Sequence, residues 1–175
     1  MQDNRPTFWG LTLKTIVVHS LTYFVMGLLA LAFLDYSSRF ADPSLSLLMR
    51  PTDDPWVMAG PLFQPLRGIL FAIVFYLLRE PFFGRKNGWL IMWTMLALVG
   101  IFSSFGPTPG SIEGAIYTTL PWWTHLFGLP EVLLQSLLLS VLLFYWVNHP
   151  EKRWLSWVLG ALFVLCLFFP VLGLL

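Results

Sequence analysis

The chain has one cysteine, three histidines and few charges of either sign, with ten basic and nine acidic residues among 175. Each scarcity excludes something. A lone Cys166 rules out an intrachain disulfide framework and any redox pair or cluster of cysteines, and it reads as a small core residue. A charged fraction of 11% is too low to coat an ordinary soluble surface. A formal net charge of +1 without a basic domain gives no case for nucleic acid. The sequence contains no G-x-S-x-G elbow, phosphate-cradling glycine loop or H-E-x-x-H motif, so an enzyme would need a site assembled from distant helices. There is no internal repeat and no soluble linker, and residues 1–175 read as a single transmembrane domain.

What the chain has in quantity is apolar length. Hydrophobic residues make up 57% of it and the mean hydropathy is +0.74. Five runs, at 11–34, 62–78, 88–105, 130–147 and 154–174, approach the roughly 20 residues that an α-helix needs to cross a hydrocarbon core of about 30 Å. The stretches "ILFAIVFYLL" and "LLLSVLLFYW" are apolar on every side, unlike the alternating strands of a membrane β-barrel. The expected fold is all-α, a polytopic integral membrane protein with five transmembrane helices in one bundle. The first run is longer than a signal-peptide core and no small-residue cleavage site follows it, so it is expected to stay as a span. In a four-span alternative, 62–78 would be interfacial or re-entrant because of its arginine. That would place the basic turn "GRKNG" beside the acidic first loop.

Charge and tryptophan orient the five-span bundle. Arg5, Lys14, Arg79, Arg85, Lys86, Lys152 and Arg153 fall on or near one side, against Arg39 and Arg50 in a loop that also holds Asp35, Asp42, Asp53 and Asp54. The positive-inside rule then places the N-terminus in the cytoplasm and the C-terminus outside, in a plasma or inner membrane. Trp9, Trp89, Trp93, Trp146, Trp154 and Trp157 map to the inner interface, and Trp56, Trp122 and Trp123 to the outer one. The inner basic residues are expected to meet anionic lipid headgroups.

The loops read in the same terms. "PSLSLLM" suits one or two interfacial helical turns, and "PTDDPW" a turn with aspartate caps. In the second outer loop Pro107, Pro109 and Gly110 break the third helix and Ser111 suits the start of a short one, either on the outer surface or dipping into a protein-lined cavity.

The polar residues that the bilayer must accommodate are the candidate site. Arg67 stands about 7 Å below the outer end of its span at 1.5 Å per residue, close enough to snorkel to headgroups. Gln64 lies three residues before it, and Glu131 and Gln135 lie four apart on another helix at the same outer level. Glu113 and His125 belong to that side too. An Arg67 pair with Glu131 or Glu113 would lower the cost of a charge in low dielectric, and it would serve either as a structural tie or as the centre of an ion, substrate or headgroup site. Near the middle of the first span, Thr15, His19 and Tyr23 form a four-residue ladder suited to hydrogen bonding with a neighbouring helix. His125 and His149 lie at other depths, so no metal site is expected and no cofactor is identified. Gly100 with Ser104, and Ser156 with Gly160, suit close helix packing, and Pro170 is expected to bend or end the last helix.

The function expected first is a membrane-embedded accessory, assembly or structural subunit of a larger complex. Its partners would be membrane lipids and other membrane subunits or copies of itself. The alternative is a small homo-oligomeric transporter or channel with an outer-side polar site around Arg67 and Glu131. An intramembrane enzyme using His125, Glu113 and Glu131 ranks behind both.

Overall fold

A central helix, α1 (Phe8–Phe33), organises the bundle in a computed structural model that describes residues 6–173. Its start is fixed by Thr7, whose side chain accepts from the Gly10 amide at 3.2 Å. After it come α2 (Tyr36–Phe40), α3 (Pro55–Met58) and a 3₁₀ turn over Gly60–Phe63 that leads directly into α4 (Gln64–Leu77). Short α5 (Arg79–Phe83) precedes α6 (Gly88–Met95), whose continuation over Leu96–Phe102 is π-helical. Then follow α7 (Ile112–Tyr117), α8 (Trp122–Phe127), α9 (Leu129–Asn148) and α10 (Arg153–Gly173).

Three helices pack around α1, and cross-contacts set their directions. Helix α4 is antiparallel to it, since Phe8 meets Tyr76 edge-on at 5.2 Å while His19 bonds Gln64 at 3.1 Å. Helix α9 is antiparallel as well. Lys14, near the start of α1, donates from Nζ to the carbonyl of Trp146 at 3.0 Å, close to the end of α9. There it satisfies one of the carbonyls that a helix C-terminus leaves free. Helix α10 follows α9 after a four-residue turn and heads back, the Trp146 indole donating to Ser156 Oγ at 3.1 Å, so it runs parallel to α1, where Cys166 Sγ is directed at the Ser20 carbonyl at 3.7 Å. We call the end where α1 begins proximal and the opposite end distal.

Four helical stretches are long and apolar enough to cross a membrane: Phe8–Phe33, Gly60–Leu77, Trp122–Asn148 and Arg153–Val171. The fifth expected span, 88–105, falls short of its predicted length. It forms Gly88–Phe102, eight α-helical and seven π-helical residues. At 1.5 Å per residue that is about 22 Å at most, against a core of about 30 Å. The π turn is explicit in the bond from the Ser103 amide to the Leu98 carbonyl, five residues back, at 2.9 Å.

The shortfall lies at the distal end, since the helix begins at Gly88 as expected. Within "REPFFGRKNG", α5 places Phe82 and Phe83 in the core, where Phe82 meets Phe75 edge-on at 5.7 Å. Gly88 then turns so closely that an added Cβ would lie 1.8 Å from the Phe82 carbonyl oxygen. Trp93 leaves the proximal interface to which it was assigned. Its indole donates to the Leu133 carbonyl at 3.2 Å, in the first turns of α9.

Other expectations hold locally. Asp54 caps α3 through the Trp56 amide, and Ser111 caps α7 through that of Gly114. Turns over "PSLSLLM" are closed by bonds such as Ser46 to Asp42 and Met49 to Leu45, both 2.8 Å. Cys166 is buried. Helix α10 continues through Pro170 to Gly173 instead of ending there. Arg5 and the expected span end at 174 lie outside the described residues.

Candidate functional site

Buried polar residues concentrate on α1, and most are satisfied within that helix. The hydroxyls of Thr12, Thr15 and Thr22 donate to the carbonyls four residues back, Phe8, Leu11 and Val18, at 2.8 to 2.9 Å. His19 alone reaches across. Its Nε2 lies 3.1 Å from Gln64 Oε1, while Gln64 Nε2 donates to the Gly60 carbonyl at 3.1 Å. The Gly60 bond fixes which end of the amide faces the ring, so Oε1 accepts and His19 carries its proton on Nε2. The ring also meets Phe71 edge-on at 4.9 Å. His19 Nδ1 and Ser20 Oγ, both buried, have no hydrogen-bond partner among the described residues.

Of the expected ladder, His19 therefore bridges helices and Thr15 does not. Tyr23, half-buried, brings its hydroxyl against Gly60, where an added Cβ would lie 3.2 Å away. The same short turn thus receives both the Gln64 amide and the Tyr23 hydroxyl.

A second cluster occupies the distal end. Glu131, half-buried in the first turn of α9, accepts a hydrogen bond from the Tyr36 hydroxyl of α2. Tyr36 also stacks on Phe40 at 4.9 Å and meets Phe127 edge-on at 5.2 Å. Burial, with the bond to Glu131 and its charge acting in the same direction, raises the Tyr36 hydroxyl above the usual phenol range. Beside it the Arg39 guanidinium lies 4.0 Å from the Phe127 ring and 5.6 Å from that of Trp123, and its Nε donates to the Leu34 carbonyl at 3.1 Å. Tyr36 and Arg39 were not among the predicted site residues. Their three-residue spacing on a short helical face was the available signal, obscured by the polar loop composition around them.

Arg67 stands apart from Glu131. It is exposed on α4, its guanidinium 5.4 Å from the Phe71 ring, and it forms no ion pair with Glu131 or Glu113. Gln64, three residues away, turns inward to His19, so the two do not act as a pair. Tyr23 lies within electrostatic reach of both Arg67 and Glu131. Gln135 is half-buried one turn along from Glu131, and Glu113 is exposed on α7. His125 Nδ1 accepts from the Gly110 amide at 3.3 Å, which ties the second distal loop to α8.

The structure thus divides the predicted constellation into a buried link, a distal aromatic and carboxylate cluster, and an exposed arginine. Among the described residues no three His, Cys, Asp or Glu side chains stand together as metal ligands. A cavity of about 380 Å³ lies beside Ser37, Phe40, Met49 and Asp53 and another of about 230 Å³ beside Pro6, Arg79, Phe83 and Asn148, and neither is lined by Arg67 or Glu131. Comparison with protein-family models, with curated proteins and with solved structures finds no match in any of the three.

Proposed function

We propose that the chain is a membrane-embedded accessory or assembly subunit, inserted with α1 starting in the cytoplasm and α10 ending outside, in a plasma or inner membrane. The observation that carries this reading is the contrast between the inside and outside of the bundle. Polar side chains are spent on contacts that hold the chain together: Lys14 to Trp146, His19 to Gln64 and Tyr36 to Glu131. Helix α10 is the least buried of the four long helices and presents Trp157, Leu162, Val164, Phe168 and Phe169 outward. A rigid interior with a broad apolar outer face suits a part that docks against other membrane helices. Native mass spectrometry after mild extraction tests it: reproducible co-purification of unrelated subunits at fixed stoichiometry is expected, and a homo-oligomer without partners overturns it.

Arg67 favours one second reading, a small homo-oligomeric transporter. A cation without an ionic partner among the described residues, with Glu131 acting on the same tyrosine, is what a polar substrate would require. In that case Arg67→Ala and Glu131→Ala abolish flux into proteoliposomes while leaving the protein folded and abundant.

A further inference from the structure

The second distal loop has a composition that water does not suit. Between residues 103 and 130 the only formally charged side chain is Glu113. Phe105, Ile112, Ile116, Tyr117 and Trp122 are all exposed. Contiguous apolar exposure of this kind marks a surface that meets something other than solvent.

The depth of the loop follows from what it is tied to. Helix α9 has 20 residues and so rises about 30 Å, the thickness of a typical hydrocarbon core. Taking Asn148 as the proximal boundary puts Leu129 at the distal one. The loop is fastened at that level. The Gly110 amide bonds His125 Nδ1, and a Cβ on Gly110 would lie 2.9 Å from Leu129 Cδ2. Gly110 has φ +88, a conformation that glycine adopts freely, so the chain turns tightly there. Helix α7 begins two residues later, capped by Ser111, with Ile112 and Ile116 one turn apart on one side.

We propose that α7 and its flanks form an interfacial anchor seated in the headgroup–acyl boundary of the distal lipid leaflet. Lipid is the occupant because α7 packs on α8 and α8 on α9, and α8 and α9 expose Trp122, Leu126, Leu134 and Leu138. The exposed Tyr117 and Trp122 have the amphipathic rings that settle at that boundary. The anchor also accounts for how a third helix of about 22 Å is accommodated: the chain leaving it stays among lipid instead of having to reach bulk water.

Site-directed spin labelling tests this in the full chain in phosphatidylcholine nanodiscs, with the buried Cys166 replaced by Ala and single cysteines introduced as Ile112→Cys and Ile116→Cys. Asp53→Cys serves as the aqueous reference and Leu138→Cys as the mid-span lipid reference. The ratio of relaxation by oxygen to relaxation by a water-soluble nickel chelate is expected to fall between the two references at both isoleucines. A ratio equal to that at Asp53 would place the loop in water. Exclusion of both reagents would show that protein, from a partner or a second copy, covers the helix. Either result overturns the proposal.

Discussion

At the scale of single residues, a few hydrogen bonds decide which polar groups are compatible with the bilayer. Removing the Gln64 amide leaves the His19 Nε2–H buried without an acceptor, and an orphaned buried donor costs about 1–3 kcal/mol. Gln64→Leu should therefore lower the unfolding midpoint in mixed micelles. Combining Gln64→Leu with His19→Leu, which removes the orphaned donor, should lose less than Gln64→Leu alone. Equal losses would show that the His19 bond contributes nothing. The distal cluster makes a pH prediction. Tyr36 has a folded-state value above the ordinary phenol value of about 10, so as pH rises the unfolded chain ionises first. Its contribution is present below pH of about 10 and is lost as pH climbs toward the folded-state value. Tyr36→Phe should reduce stability at neutral pH and flatten the alkaline decline, measured as unfolding midpoint against pH. An unchanged slope would reject the link to Tyr36.

At the scale of elements, the close approach of α1 and α4 depends on one glycine. A Cβ at Gly68 would lie 2.8 Å from Ile16 Cα, a backbone atom that can yield only if the helices separate. Gly68→Ala should cost about 1–3 kcal/mol through overpacking, whereas Gly27→Ala, with no atom within 4 Å, should be neutral or slightly stabilising through helix propensity. Thermal unfolding of both variants in one detergent compares them directly, and equal effects would remove the packing argument. The same seam shows what the sequence could disclose. Continuous apolar runs made the long helices legible, because bilayer thickness imposes a length that composition reveals. Partners were less legible. Gln64 and Arg67, three apart, suggested a shared face, yet Gln64 bonds the Gly60 carbonyl and His19 while Arg67 stays exposed beside Phe71. Glu131 met a tyrosine from a loop helix, because a short loop segment carries no strong periodic signal of its own. The π turn was equally hidden, since it changes hydrogen-bond register without changing apolar composition.

At the scale of the whole molecule, helix directions bear on the one apolar segment too short to count among the four candidate spans. Helix α10 runs parallel to α1 while α4 and α9 run antiparallel to it. The chain must therefore travel from the proximal to the distal end between α5 and α8, and Gly88–Phe102 is the segment that does so. It is about 8 Å shorter than a typical hydrocarbon core. A topology experiment checks this through sidedness. In a Cys166→Ala background, Asn87→Cys lies in the turn before α6 and Thr119→Cys in the loop before α8, with this segment between them. The basic bias of the proximal end predicts that a membrane-impermeant maleimide labels Thr119→Cys in intact cells and Asn87→Cys only after permeabilisation. Labelling of both from one side would mean that the segment does not cross, and the parallel α1 and α10 could then not belong to one spanning bundle. Opposite labelling in the reverse sense would keep the five-crossing path and overturn only its orientation. The experiment thus separates the fold, which rests on helix directions, from the orientation, which rests on charge.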